Sequence, residues 1–102
     1  MSDFSNELTL KQVEYLAVLA EECGETVQAI GKILRHGLLS FSPYDSECVT
    51  NKGHLEKEIG NLVASIGYLV PACGLSLPAI DASARSKLIE LRRWLHHWEE
   101  GD

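Results

Sequence analysis

Oxygen-bearing side chains occur in two pairs that share one spacing. Glu22 and Glu25 are three residues apart, and Glu58 and Asn61 repeat that separation further along the chain. In an α-helix, residues three apart lie on one side of adjacent turns, so each pair would present its oxygens in one direction. Carboxylate and amide oxygens are ligands for hard cations, and a divalent ion offsets the repulsion between crowded carboxylates. If both pairs are helical and face each other, the spacing predicts a Mg²⁺ site.

The alternative is a solvated acidic surface, because glutamates three apart are also found on ordinary exposed helices. Two pairs on consecutive helices favour the metal site over that alternative. Apolar neighbours favour it as well: Val18 and Leu19 lie about one turn from Glu22, and Leu62 lies one turn from Glu58. Unpaired charge is costly beside apolar surface, so these carboxylates are expected to have a partner.

The first acidic pair lies within a long stretch of helical periodicity. Thr9 and Gln12 form a capping-box pattern, after which apolar residues recur at helical spacing. Gly37 follows a basic segment and is suited to a helix C-cap. The pattern predicts a helix from about Leu10 to Arg35.

A segment without sustained periodicity follows, from Leu38 to Gly53, and is rich in serine, proline, aspartate and asparagine. We expect a loop over this range. It is long for a connection in so short a chain, and long loops are often functional, so it is a candidate to cover a ligand.

Two further helices are predicted after this loop. Apolar residues from Leu55 onward repeat at steps of three and four, which predicts a helix that is disrupted around Pro71 and ends near Gly74. The same spacing recurs from Ala79 to Glu100 and predicts a C-terminal helix.

The predicted fold is all-α, with one domain over residues 1–102. It consists of an antiparallel helical hairpin and a C-terminal helix, in a helical bundle completed by oligomerisation. Oligomerisation is expected because a chain of 102 residues buries only about two thirds of its unfolded surface when it folds alone.

The formal net charge of -6 opposes binding to nucleic acid polymers and to anionic membranes, which attract basic surfaces. No stretch approaches eighteen consecutive apolar residues, and the N-terminal residues lack a signal-peptide pattern. We therefore expect a cytoplasmic protein that does not interact with membranes.

The cysteines Cys23, Cys48 and Cys73 form no C-x-x-C unit, and reduced thiols are expected. Cys48 with His54 and His36 could seed a zinc site, but their spacing matches none of the usual zinc signatures.

The acidic motif resembles a known family. The run Glu21-Glu22-Cys23-Gly24-Glu25, followed by Glu58-Ile59-Gly60-Asn61, is similar to the MazG signature E-E-x-x-E…E-x-x-D. Residues 28–37 and 51–58 also resemble MazG-like sequences, including compact phage and mobile-element members. The resemblance is strong over roughly residues 10–70 and weak over the final helix. Members of this all-α family, related to dimeric dUTPases, cleave nucleoside triphosphates between the α- and β-phosphates to release monophosphate and pyrophosphate.

The resemblance implies that Glu22, Glu25 and Glu58 are ligands of Mg²⁺, with Mn²⁺ as an alternative, and that Asn61 occupies the place of the last acid. Glu21 and Glu22 would be the catalytic residues. Glu21 would lie at the edge of the site and bind a second metal or orient the attacking water. Its alternative role is that of an exposed helical glutamate. The expected assembly is a homodimer or a tetramer formed as a dimer of dimers.

Asn61 departs from the family pattern, because an amide oxygen can bind Mg²⁺ but brings no negative charge. Metal affinity should therefore fall. The substitution is compatible with a natural variant that has a weaker site, with an enzyme altered to trap substrate, and with a non-catalytic nucleotide-binding or sensing module. A structural helical-bundle interaction protein is the remaining alternative.

Three further residues are candidates for binding the nucleoside or deoxynucleoside triphosphate. Lys32 and Arg35 follow the acidic motif on the same predicted helix and are suited to phosphate contacts, although favourable charge at a helix C-terminus also explains them. Asn51 could hydrogen-bond a base or sugar, and a turn is its alternative role.

Overall fold

The computed structural model describes residues 5–99, and within that range the secondary structure consists of three α-helices with no β-strand. Helix α1 spans Leu10–His36, α2 spans Asn51–Cys73 and α3 spans Leu77–Trp94. The predicted all-helical fold class is therefore confirmed. None of these helices is long and apolar enough to cross a lipid bilayer.

Helix α1 has the ends that its sequence predicts. The Thr9 hydroxyl accepts a hydrogen bond from the Gln12 backbone N–H at 3.1 Å, and the Gln12 side-chain oxygen accepts one from the Thr9 N–H at 2.9 Å. A cap of this kind stabilises a helix by about 1 kcal/mol. At the other end Gly37 has φ 89°, a conformation that favours glycine, and its N–H donates to the Ile33 carbonyl at 2.7 Å. The predicted bounds are correct to within one residue.

Helix α2 begins earlier than predicted, at Asn51, although the loop was expected to continue to Gly53. The Thr50 hydroxyl accepts a hydrogen bond from the Gly53 N–H at 3.1 Å and caps the helix there. Asn51 and Gly53 are typical turn residues, so their composition suggested a loop. The side-chain cap allows the helix to include both.

The loop before α2 is bonded to the first turn of that helix. The Asn51 N–H donates to the Ser40 carbonyl at 2.8 Å, and the Lys52 N–H donates to the Leu38 carbonyl at 2.9 Å. The first N–H groups of a helix have no partner within the helix, and here the loop supplies their acceptors.

Asp45 organises the middle of this loop. Its carboxylate oxygens accept hydrogen bonds from the backbone N–H groups of Glu47 at 2.9 Å and Val49 at 3.0 Å. These bonds hold the pKa of Asp45 below its ordinary value, because they stabilise the charged form. The loop therefore has a defined conformation between the two helices.

Helix α2 continues through Pro71 to Cys73 before Gly74 closes it in the left-handed conformation, with φ 63°. Proline removes one backbone donor, and here it stands in the last turn, where the helix is about to end. The end predicted near Gly74 is confirmed, and Pro71 does not terminate the helix itself.

Helix α3 begins two residues before the predicted Ala79, because the Ser76 hydroxyl accepts a hydrogen bond from the Ala79 N–H at 3.1 Å. It ends at Trp94 rather than at Glu100, which lies outside the described residues. Leu95 is extended, and Trp98 lies against Arg92, whose guanidinium carbon is 5.1 Å from the centre of the indole ring.

Helices α1 and α2 pack along each other. Near the start of α1, the Gln12 side-chain N–H donates to the carbonyl of Ala72, near the end of α2, at 3.0 Å. Tyr15 and Tyr68 meet edge to face nearby, with ring centres 6.0 Å apart. At the opposite end of the pair, the Asn51 side-chain N–H donates to the Gly37 carbonyl at 3.1 Å. Helix α3 makes few contacts with either.

The buried core of the described residues is small. Ala29, Leu69 and Val70 are its buried apolar residues. The accessible surface is 8557 Å², whereas a compact monomer of this mass exposes about 5,700 Å². The radius of gyration is 18.0 Å, against about 13 Å for a compact domain of this length. A single chain thus leaves much more surface exposed than a compact domain does.

Replacing Asn51 tests the contact between the end of α1 and the start of α2. Asn51 is 8% exposed, and Asn51→Ala leaves the Gly37 carbonyl without this donor. We expect the free energy of unfolding to fall by about 1–3 kcal/mol in urea denaturation at fixed protein concentration. The matched control is Asn6→Ala, in an exposed segment before α1, which should change stability by less than about 0.5 kcal/mol. Equal effects of the two substitutions would contradict a structural role for Asn51.

Candidate functional site

Three carboxylates converge where α1 and α2 pack. Glu22 and Glu25 project from α1 and Glu58 projects from α2, and each offers an oxygen that lies within 4.8 Å of the other two. All three residues are half-buried. Three of the four glutamates predicted as site residues are therefore close enough to share one ligand.

Small and hydroxyl-bearing side chains lie on α1 and α2 near the acidic triad. Ala29 is buried one turn beyond Glu25, and its small side chain takes little space between the helices. The nearby Thr26 hydroxyl donates to the Glu22 carbonyl at 2.8 Å, and the Ser65 hydroxyl donates to the Leu62 carbonyl at 2.8 Å. Both hydroxyl groups bond to the backbone of their own helices and do not donate to the carboxylates.

Crowding raises the pKa of Glu25 above its ordinary value. The largest cause is a hydrogen bond with the Glu58 carboxyl group, which favours protonated Glu25, and the negative charge of Glu22 is the next. The charge of Glu21 adds a smaller effect in the same direction. The site therefore disfavours three full negative charges unless a positive charge joins them.

Two oxygens of the triad have no partner. Glu22 Oε2 and Glu58 Oε2 are shielded from solvent and neither accepts a hydrogen bond. Leaving a carboxylate oxygen desolvated and unpaired is expensive, and a divalent cation with oxygen ligands would remove that cost. The donor set, made only of carboxylate oxygens, fits a hard cation such as Mg²⁺ or Mn²⁺.

The other two residues predicted around the metal have less central positions. Glu21 is exposed, beside the triad in sequence. Asn61 is half-buried on α2, one turn after Glu58. A direct role of either residue in metal binding stays a prediction.

A cavity of about 250 Å³ adjoins the triad, and Lys32 forms part of its wall. Lys32 therefore lies close to the triad, and its contact with phosphate stays a prediction. The lining residues from the two helices are Glu25, Gln28, Ala29, Lys32, His54 and Glu58.

A second cavity, of about 440 Å³, lies toward the end of α1 and the loop before α2. Such a volume falls within the range of about 300–1,000 Å³ that is typical of small-molecule sites. The predicted candidates Lys32, Arg35 and Asn51 all line it, together with His54 and Phe41. Because the Asn51 side chain donates to Gly37, Asn51 also has a structural role that the sequence did not predict.

Sequence reasoning did not assign Gln28, Phe41 or His54 to this site. His54 precedes Glu58 by four residues, a spacing that places both on one helix face and was available in the sequence. Phe41 lies in the aperiodic loop, where no spacing indicates what a side chain contacts.

Within residues 5–99, the triad is the one group of histidine, cysteine or acidic residues arranged to hold a metal, so the zinc alternative finds no support there.

Comparison of the chain with protein-family models, with curated proteins and with solved structures found no match. Membership of the MazG-like family therefore stays a prediction from the sequence motif.

The raised pKa of Glu25 predicts how stability depends on pH when metal is absent. Protonated Glu25 is favoured in the folded state, so its contribution to stability is present at acidic pH and is lost as pH rises through the raised pKa. In EDTA, we expect thermal stability to decline as pH rises from the ordinary pKa of glutamate, about 4.3, through the raised pKa of Glu25. Glu58→Gln removes one neighbouring charge and should make this decline smaller.

Thermal unfolding in EDTA across that pH range measures the effect. The matched control is Glu56→Gln, an exposed glutamate on the same helix, which should leave the pH dependence of the parent chain unchanged. An identical pH dependence for Glu58→Gln and Glu56→Gln would show that the triad carboxylates do not repel one another in the folded chain.

Proposed function

We propose that this chain is a Mg²⁺-dependent, MazG-like nucleoside triphosphate pyrophosphohydrolase that converts a triphosphate and water into a monophosphate and pyrophosphate. The observation that carries the proposal is the acidic triad, with two shielded carboxylate oxygens that have no partner. A cavity with Lys32 in its wall adjoins this triad, and a second cavity, lined by Lys32 and Arg35, lies next to the first. The carboxylates are suited to bind a metal, and the basic side chains beside them are suited to bind the phosphate groups that the metal would help to hold.

In this proposal Glu22, Glu25 and Glu58 hold the cation between α1 and α2. When bound, Mg²⁺ supplies the positive charge that neutralises phosphate oxygens during cleavage of a phosphoanhydride. The half-buried position of the three glutamates keeps much of the surrounding water away and strengthens their interaction with a cation.

Glu21 is the proposed general base. It is exposed next to the triad, so a water molecule can reach it, and its carboxylate can accept a proton as that water attacks the α-phosphate. The bond between the α-phosphorus and the bridging oxygen then breaks, and pyrophosphate leaves. Lys32 and Arg35 donate hydrogen bonds to phosphate oxygens and hold the chain of phosphates in place.

Asn61 supports a second candidate function, a non-catalytic nucleotide-binding or sensing module. With an amide in place of a carboxylate, the site carries one negative charge fewer, so a cation binds more weakly. The same cavities would serve both functions. In a third alternative, a structural helical bundle, the acidic triad would bind neither metal nor nucleotide.

We also propose that α1 and α2 form an antiparallel hairpin and that a second copy of the chain covers the outer face of α2. That face consists of Ile59, Gly60, Val63, Ile66 and Gly67, and all five residues are exposed. No charged residue occurs from Ile59 to Ile80. A Cβ atom added at Gly60 or Gly67 would meet nothing within 4 Å, so no contact within the chain requires these glycines.

The exposed area supports this assembly. The chain exposes roughly 2,800 Å² more than a compact monomer of its mass, and an ordinary protein interface removes about 800 Å² from each partner. A homodimer, or a tetramer formed from two dimers, would therefore cover an area that packing within one chain leaves open. Helical glycines lower stability by about 0.5–1 kcal/mol each, which close approach of another helix would offset.

Hydrolysis is tested by measuring pyrophosphate release from a panel of canonical and modified nucleoside triphosphates with Mg²⁺ or Mn²⁺. Glu22→Gln and Glu58→Gln should each lower kcat/KM by about a hundredfold or more, because each removes a charge that holds the cation. Asn61→Asp should raise Mg²⁺ affinity on the order of tenfold, because it adds a charged oxygen.

Glu56→Gln is the control, since it removes an exposed carboxylate from the same helix without altering the triad. If the parent chain and Asn61→Asp both bind a triphosphate without releasing pyrophosphate, the binding module is favoured. If Glu22→Gln and Glu58→Gln leave Mg²⁺ binding unchanged, the metal site is wrong and the structural bundle is favoured.

Self-association is tested by light scattering during size-exclusion chromatography. Val63→Arg introduces a charge on the outer face of α2 and should weaken the assembly at least about tenfold, because the charge would be desolvated at the interface. Leu39→Arg, at an exposed loop position, is the matched control and should leave the assembly intact. A parent chain that is monomeric at all concentrations measured would overturn this part of the proposal.

A further inference from the structure

The cavity beside the acidic triad is adjacent to the larger cavity, because Lys32 and His54 line both of them. Together they form one groove, which begins at Glu25 and Glu58 and continues to Phe41 in the loop before α2. From Glu25 to Lys32 the chain rises about 10 Å along α1. The groove is therefore long enough to contact a ligand at several separate points.

Charge changes in order along this groove. Carboxylates occupy one end, Lys32 and His54 lie between the cavities, and Arg35 lies beyond them. Two ion pairs, Arg85 with Asp81 and Lys87 with Glu90, both lie on α3 and include no side chain of the groove. Lys32 and Arg35 belong to neither pair, whereas His54 interacts electrostatically with Asp45 in the loop. The two long basic side chains are suited to an anionic ligand.

The far end of the groove offers an aromatic surface. Phe41 lines the larger cavity together with Pro43, and 48% of Phe41 remains exposed. The hydrogen bond from the Asn51 N–H to the Ser40 carbonyl fixes the loop next to Phe41. A half-exposed ring held at the wall of a cavity is suited to stack against a planar, partly apolar group.

We propose that the groove binds a nucleoside polyphosphate lengthwise, with its base stacked on Phe41 and its phosphates against His54 and Lys32. This inference rests on the proposed function for the choice of a nucleotide as ligand. It assigns two new roles: His54 donates a hydrogen bond to a phosphate oxygen, and Phe41 recognises the base. Stacking on Phe41 does not require a particular pattern of donors and acceptors, so different bases are expected to bind with similar affinity.

Calorimetric titration with two probes in the presence of Mg²⁺ tests these roles. One probe is an α,β-methylene nucleoside triphosphate, which the proposed reaction cannot cleave, and the other is inorganic tripolyphosphate, which has no base. Phe41→Ser should weaken binding of the nucleotide about tenfold and leave tripolyphosphate binding unchanged. His54→Ala should weaken binding of both probes about tenfold.

Matched controls come from residues outside the groove. Leu39→Ser changes an exposed apolar residue of the same loop, and His96→Ala removes an exposed imidazole beyond α3. Neither should alter the affinity of either probe. Phe41→Tyr keeps an aromatic face and should retain nucleotide binding, which separates stacking from a general effect on the loop.

The outcomes distinguish this inference from the proposed hydrolysis. If the probes bind and respond to Phe41→Ser and His54→Ala as described, the groove is confirmed even when no pyrophosphate is released. If pyrophosphate is released but neither substitution changes affinity for the uncleavable nucleotide, the groove assignment is overturned and hydrolysis stands. If neither probe binds the parent chain, both proposals are wrong.

Discussion

Mutual repulsion among Glu22, Glu25 and Glu58 is the main cost of packing α1 against α2, and the other contacts of the helix pair must offset it. Their oxygens approach within 4.8 Å because two helices pack at that point, and the pKa of Glu25 rises as a result. Contacts at both ends of the helix pair oppose the repulsion: Gln12 bonds to Ala72 at one end, and Asn51 bonds to Gly37 at the other. The chain therefore keeps a locally unfavourable arrangement of charge by anchoring it from both sides.

The helix pair that positions the triad obtains little support from a core of its own. Buried apolar side chains are few, and α3 makes few contacts with α1 or α2. The uncharged outer face of α2 lies on the side of the helix away from the carboxylates. A partner on that face would stiffen α2 without covering the groove. Assembly and ligand binding would then use opposite sides of the same helix.

Helix α1 and the three-helix content could be predicted because each follows from local spacing. Spacing also predicts that each acidic pair shares one helix face, but the meeting of Glu58 with Glu22 and Glu25 depends on how the two helices pack. The start of α2 could not be predicted, because it depends on the Thr50 cap and on bonds from the loop to Asn51. Phe41 was missed for a related reason: its position depends on how an aperiodic loop folds. The position of His54 is within reach of the spacing rule, because His54 precedes Glu58 by four residues.

The hydrogen bonds from Asn51 and Lys52 to the carbonyls of Ser40 and Leu38 make the groove wall and the first turn of α2 one cooperative unit. The loop cannot move outward without leaving those helical N–H groups unpaired, and the first turn cannot fray without releasing the loop. Local unfolding at this position would therefore displace Phe41, in the groove wall, and His54, near the start of α2, at the same time. A ligand spanning the groove would oppose both openings, so its binding energy would be distributed over the helix terminus as well as over its direct contacts.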